Sequence, residues 1–296
     1  MSTALLLLPD FLLICGGAWL RRWDKLEPAF WTGLERLVYF VLFPALLFRA
    51  LASSPVPLAD ASRLVATGVA FTTAGIALSW LARPLLALPD RTWAACFQCG
   101  FRFNTYIALA AAARLGGDAG VALMGLLVGV LVPVVNVAAV SALAHGRGGV
   151  LRELARNPLL LACVAGIAWR AGGLRLAEVV DHLLGLCASA ALPLGLLAVG
   201  AGLTFRRGHL PASALAWWSA VKLGAVPAVA LVAGELLGLS LLERQVALAL
   251  AAVPTAPSAY ILAMQMSGDG TAVALLITTG TLLAALTLPL WLGISG

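Results

Sequence analysis

Ten long apolar segments, separated by short polar or charged stretches, constrain this chain more than any other feature. They cover residues 3–20, 29–52, 63–87, 91–115, 119–145, 158–173, 179–203, 211–238, 244–266 and 270–294. A helix that crosses a bilayer needs about 20 mostly apolar residues. Over 296 residues, 62% are hydrophobic and only 11% are charged, which is too little charge to cover a surface in water. The sequence therefore predicts an all-α membrane protein with ten transmembrane helices, and excludes a soluble enzyme, a nucleic-acid binder and a disordered chain.

Basic residues are unevenly divided between the connections. The odd-numbered connections hold ten (Arg21, Arg22, Lys25, Arg83, Arg91, Arg147, Arg152, Arg156, Arg206 and Arg207), and the even-numbered ones hold five (Arg63, Arg114, Arg170, Arg175 and Arg244). Because cytoplasmic loops carry the excess of Lys and Arg, both termini are expected outside the cytoplasm. Seventeen arginines against two lysines are typical of a GC-rich bacterial genome, so the expected location is a bacterial inner membrane.

For three residues near the start of the eighth segment, the position along the helix predicts where the side chain lies in the membrane. Trp217 and Trp218 are expected to anchor the helix at the cytoplasmic interface, where tryptophan is enriched. Lys222 lies one turn further on and is expected to extend its ammonium group back to that interface.

The chain resembles itself at a separation of about 150 residues. Four pairs match in order along the chain: 15–19 with 165–169, 43–47 with 192–196, 106–107 with 260–261, and 117–118 with 268–269. Each half holds five segments, an odd number, so the second copy must enter the membrane from the opposite face. Residues 1–150 and 151–296 are therefore predicted to be two inverted five-helix repeats. Such repeats are typical of transporters, whose binding sites lie near the bilayer midplane.

The fourth and ninth segments are both expected to be interrupted helices. Arg102 and Asn104 lie near the middle of the fourth segment, at a depth where a charge is costly. Pro254 and Pro257 lie at the matching place in the ninth segment, where they remove two amide donors. For the prolines the alternative is a simple kink. For Arg102 it is a structural pairing with a carbonyl group or a helix end.

Two interrupted helices would create a candidate site for an anion. Asn104 and Thr255 are residue types that cap the start of a helix, and two half-helices beginning there would aim their positive ends at one point. The candidate substrate-binding residues are Arg102, Asn104, Thr105, Pro254, Thr255, Pro257 and Ser258.

Motifs for catalysis and for metal or cofactor binding are missing from the sequence. The three histidines are scattered, and Cys96 and Cys99 are interpreted as small residues of the membrane core. The strings His-Glu-x-x-His, Gly-x-Ser-x-Gly and Gly-x-x-x-x-Gly-Lys-Ser/Thr do not occur. The chain is thus predicted not to be an enzyme and to bind no metal, cofactor or nucleic acid.

Several sequence motifs, which follow one another along the chain, give it a family resemblance from Phe11 to Leu292. They are FPALLF (43–48), FRFNTYIAL (101–109), RNP (156–158), LPLGLLAVGAGL (192–203) and VPTAPSAYILA (253–263). The chain resembles the auxin efflux carrier family, which includes plant PIN auxin exporters and bacterial malonate and malate permeases.

The resemblance implies a fold of two inverted repeats with broken, crossing helices 4 and 9. It also implies a support domain of helices 1, 2, 6 and 7, an elevator-like transport domain of helices 3–5 and 8–10, and a homodimer in the lipid membrane. The family's substrate asparagine corresponds to Asn104, and its crossing prolines to Pro254 and Pro257. Many relatives follow that asparagine with Gly-x-Pro, where this chain has Ala108-Leu109-Ala110, so the two interruptions are expected to differ in shape.

The function predicted is secondary transport of a small organic anion such as a carboxylic acid. Two alternatives remain open from the sequence. One is a sodium- or proton-coupled carrier of another small solute, although neither interruption contains an acidic residue. The other is a membrane sensor of a metabolite.

Overall fold

The computed structural model describes residues 3–23, 26–53, 61–143, 157–203 and 210–295, and within these ranges all regular secondary structure is helical. The all-α prediction is confirmed, whereas the inverted arrangement of ten spans stays a prediction. Six of the basic residues on which the orientation depends lie outside the described residues: Lys25, Arg147, Arg152, Arg156, Arg206 and Arg207.

Thirteen α-helices follow one another in the described ranges. They are α1 (Thr3–Leu20), α2 (Pro28–Leu37), α3 (Phe43–Ala52), α4 (Ala61–Leu86), α5 (Asp90–Phe97), α6 (Thr105–Leu143), α7 (Pro158–Ala171), α8 (Glu178–Ala201), α9 (Ala212–Ala220), α10 (Val226–Leu236), α11 (Leu241–Ala252), α12 (Ser258–Gln265) and α13 (Gly270–Ile294). In the part of the chain that the structure describes, five helical stretches are long and apolar enough to cross a membrane: Ser62–Leu86, Asp90–Leu143, Glu178–Ala201, Ala212–Leu236 and Gly270–Ile294. These lengths support a multi-pass membrane protein.

Two π-helical turns join α2 to α3 and α9 to α10. They cover Val38–Leu42 and Val221–Ala225, and each ends just before a helix that begins with a proline at its second residue, Pro44 or Pro227. Because proline lacks an N–H and its ring crowds the preceding turn, a wider turn relieves the clash. Pro227 leaves the Leu223 carbonyl without its usual helical donor, and the Trp291 indole N–H supplies one at 2.8 Å.

One set of helices is formed by α1, α3, α7 and α8, which pack mainly on each other. The closest crossing is between α1 and α8. A side chain at Gly17 would overlap the backbone of Leu197, and one at Gly200 would overlap the backbone of Ile14. Glycine at both positions therefore allows the two backbones to touch, as in other tightly packed membrane helices.

The second set surrounds α11 and includes α4, α6, α10 and α13. Every residue from Val246 to Val253 is fully buried, so this part of α11 is covered on all sides and forms the centre of the set. On α4, Gly75 lies close to Phe101 and to the Gly100 carbonyl. The second set thus encloses both places where the helices are interrupted.

Ion pairs connect the two sets where α6 is kinked at Gly116 and Gly117. On one side of the kink, Arg114 lies 3.2 Å from the Asp10 carboxylate of α1. On the other side, Asp118 lies 3.4 Å from Arg49 of α3, which also binds Asp181 of α8 at 2.8 Å. These ion pairs therefore hold the second set of helices to the first set at the kink.

Candidate functional site

The first interruption lies between α5 and α6. After Phe97 the chain makes a 3-10 turn over Gln98–Gly100, and α6 begins at Thr105. The Asn104 Oδ1 atom accepts hydrogen bonds from the backbone N–H groups of Tyr106 (3.0 Å) and Ile107 (3.3 Å). Asn104 therefore caps α6, as predicted, and its side chain is buried.

The second interruption separates α11 from α12. Helix α11 ends at Ala252, and α12 begins at Ser258 after Pro257, which makes no side-chain cap. The prediction that Thr255 caps this helix is wrong. Its hydroxyl instead donates to the Cys99 carbonyl at 2.8 Å, at the start of the first interruption, where the membrane offers no water to satisfy that carbonyl. The two interruptions thus differ in shape, as expected from the sequence.

Hydrogen bonds join the two interruptions into one unit. The backbone N–H of Asn104 donates to the Pro254 carbonyl at 2.8 Å, and the Thr255 bond to Cys99 runs in the other direction. Each interruption therefore satisfies a backbone group that the other leaves open. This exchange explains how non-helical backbone is tolerated between membrane-spanning helices.

Arg102 is half-buried and is held by two amide oxygens. Its guanidinium donates to Gln98 Oε1 and to Asn136 Oδ1, both at 2.7 Å. Gln98 is in turn fixed because its amide nitrogen donates to the carbonyls of Ala95 (3.2 Å) and Ala259 (3.1 Å). Both of these oxygens belong to neutral amide groups, and they orient the guanidinium.

The Asn104 Nδ2 group is the clearest open position at the joined interruptions. It is buried and has no hydrogen-bond acceptor among the described residues, although a buried donor is normally paired. Helix α6 begins directly after Asn104, with the positive end of its dipole. The local arrangement is therefore donor-rich and electropositive, which suits an acceptor with a negative charge.

The other candidate residues differ in how exposed their side chains are. Pro254 and Thr255 are buried, Thr105 and Pro257 are half-buried, and Ser258 is exposed. The structure brings all seven candidate residues together around the joined interruptions. Of these, Thr105, Pro257 and Ser258 have the surface that a solute would reach first.

Lys222 lies in the second π-helical turn and does not reach the interface. Its side chain is buried, and its ammonium group donates to the Ala251 carbonyl at 2.6 Å. The prediction that it extends to the cytoplasmic edge is wrong, because the last carbonyls of α11 lack helical donors and attract a cation. Trp218 is also buried, so its predicted role as an interfacial anchor is wrong as well.

Comparison with known proteins gives one match. A profile of the family described as membrane transport protein matches residues 147–292, nearly all of the second predicted repeat. Residues 147–292 are therefore similar to the membrane transport protein family. The match bears out the resemblance to the auxin efflux carrier family and agrees with the prediction of a transporter, not an enzyme. A search of curated proteins found no match to this chain.

Two residues of the transport protein's site were missed from the sequence. Asn136 is the single amide side chain in the apolar second half of α6, and that isolation is a signal that could have identified it. Gln98 lies four residues before Arg102, a helical spacing at which side chains can meet. Together they make the structural pairing of Arg102 that the sequence left as an alternative.

Replacing Thr255 with valine should destabilise the transport protein while keeping the shape of the side chain. The change leaves the buried Cys99 carbonyl without its donor, which costs about 1–3 kcal/mol. Thr255→Ser keeps the hydroxyl and is the matched control. Thermal unfolding of the purified protein checks this, and equal melting temperatures for the valine variant and the wild type would show that the bond is unimportant.

Proposed function

We propose that this transport protein is a secondary transporter of a small organic anion, such as a carboxylic acid, and that the anion binds beside the joined interruptions. The observation that carries the proposal is the buried Asn104 Nδ2 donor, which has no acceptor among the described residues. A carboxylate oxygen is the acceptor that suits such a donor best, because hydrogen bonds to ionised groups are the stronger ones.

The charges around Asn104 support an anion over a cation. The Arg102 guanidinium, a cation, is oriented by the amide oxygens of Gln98 and Asn136. The seven candidate residues include no carboxylate, and two helices begin beside them. Arg102, Asn104 and Thr105 would bind the carboxylate. Pro254, Thr255, Pro257 and Ser258 would shape the site, since the Thr255 hydroxyl already donates to Cys99.

The packing of the helices supports an elevator-like movement. In this proposal α1, α2, α3, α7 and α8 form the support domain, and α4–α6 together with α9–α13 carry the site across the membrane. The ion pairs of Asp10 with Arg114 and of Arg49 with Asp118 connect the two domains, and the movement would have to break them. The proposal also includes ten spans in two inverted repeats and a homodimer. The protein would lie in a bacterial inner membrane, with both termini outside the cytoplasm.

Binding of carboxylates to the purified protein tests the proposed function. Thermal unfolding is measured with a panel of small mono- and dicarboxylates, each beside its uncharged amide. A ligand that binds only the folded state raises the melting temperature with the logarithm of its concentration. We expect an acid to do so and its amide to have no effect. Stabilisation by uncharged or cationic solutes alone would contradict the proposal.

Arg102→Ala is expected to weaken binding of that acid by roughly tenfold or more while the protein still folds. The loss of one charge-assisted hydrogen bond accounts for about 1.5–3 kcal/mol, and 1.4 kcal/mol is a factor of ten in affinity. Arg83→Ala is the control, because Arg83 is paired with Asp90 in an exposed position away from the site. Unchanged affinity in Arg102→Ala would exclude Arg102 from the binding site.

A further inference from the structure

A small cavity lies inside the second set of helices, between the interruptions, α9, the second π-helical turn and α13. It is lined by Cys99, Trp218, Ser219, Lys222, Leu223, Thr255, Leu276 and Gly280. The centre of a water molecule can occupy about 10 Å³ there. The cavity therefore has room for one particle of the size of a water molecule. Its position beside the π-helical turn makes it distinct from the surface formed by Thr105, Pro257 and Ser258.

The cavity has more hydrogen-bond donors than its lining can satisfy. The Lys222 ammonium has three N–H donors, and its one hydrogen bond in the described part of the chain uses a single one, to Ala251. The Trp218 indole N–H is buried and finds no acceptor in the described ranges. Ser219, one helical turn before Lys222, adds a hydroxyl group. Two neighbouring side chains, Trp218 and Lys222, thus have unused donors and line one space, with Ser219 beside them.

Nothing negative lines this cavity. None of its eight lining residues is acidic, and the Cys99 carbonyl already accepts from Thr255. A buried cation without a counter-charge is costly, and leaving buried donors unpaired adds to that cost. An anion in the cavity would neutralise the Lys222 charge and accept hydrogen bonds from the ammonium and the indole at the same time.

We propose that this cavity binds one small inorganic anion, of which chloride is the representative. Its size favours a monatomic anion, because even the smallest carboxylate has two oxygens and a carbon, while the space holds one water-sized particle. Chloride is somewhat larger than water, so its binding requires a slight outward shift of the lining. The site does not depend on which solute the protein transports.

The test measures thermal unfolding of the purified full chain in sodium gluconate with increasing replacement by sodium chloride at constant ionic strength. The melting temperature of the wild type should rise with the logarithm of chloride concentration. Lys222→Met, which keeps the length of the side chain and removes its charge, should abolish the rise. Trp218→Phe, which removes the indole N–H, should weaken the apparent affinity for chloride roughly tenfold. Arg83→Ala should respond as the wild type does.

Three results would overturn the proposal. One is a wild-type melting temperature that is the same in chloride and gluconate. Another is a chloride response that is unchanged in Trp218→Phe and Lys222→Met, because the ion would then bind elsewhere. The third is a response to formate but not to chloride that Lys222→Met removes, since the cavity would then receive a carboxylate. If Lys222→Met fails to fold, Trp218→Phe and Ser219→Ala decide the outcome on the same measurement.

Discussion

Asn104→Asp is expected to weaken carboxylate binding on the order of 100-fold while the ligand-free protein keeps nearly the same melting temperature. Aspartate caps a helix as well as asparagine does, so the hydrogen bonds from Tyr106 and Ile107 remain. The change replaces the open Nδ2 donor with a charged oxygen, which both removes a hydrogen bond and repels the ligand. The loss of the donor alone costs about 1.5–3 kcal/mol, or one to two factors of ten.

Asn104→Ala separates capping from binding. Alanine loses both functions, so this variant should bind weakly and also lose about 1 kcal/mol of stability with the cap. The two variants are compared by carboxylate titration with thermal unfolding as the readout. If Asn104→Asp binds the acid as tightly as the wild type does, the Nδ2 group takes no part in binding.

Gly17→Leu is expected to prevent stable folding. The new side chain would overlap the backbone of Leu197 where α1 and α8 cross, and backbone cannot give way as a flexible side chain can. Overpacking of this kind costs about 3 kcal/mol or more, a large part of the stability of a typical protein. The expected result is a sharp loss of monodisperse protein after detergent extraction, measured by size-exclusion chromatography.

Gly33→Leu is the matched control for this crossing. Gly33 is exposed on α2, and a side chain there would meet no atom within 4 Å. Leucine also favours a helix more than glycine does, by up to about 1 kcal/mol. This variant should therefore extract as the wild type does. Equal loss of both variants, or of neither, would show that the contact between α1 and α8 does not limit folding.

Local features of the fold could be predicted from the sequence. The apolar segments have nearly the bounds of the helices, because hydrophobic length is what a membrane requires. The second interruption follows from Pro254 and Pro257, which remove amide donors. The cap by Asn104 was also predictable, since it depends on only the next three residues of the chain.

Features that depend on contacts distant in sequence could not be predicted. Thr255 has the chemistry of a cap, but its hydroxyl binds Cys99, which is 156 residues away in the chain. Lys222 has the length to reach an interface, but the carbonyl end of α11 lies closer. In both cases an unsatisfied carbonyl of another segment decides the outcome, and its position is fixed only once the helices pack.

The most direct test of the central claim is counterflow in liposomes that contain only the purified protein. The liposomes are loaded with the unlabelled carboxylate that stabilises the protein most, and uptake of the labelled acid is followed over time. We expect transient accumulation of label with the wild type and none with Asn104→Asp. Binding without counterflow would contradict transport, and equal counterflow by both proteins would contradict a site at the joined interruptions.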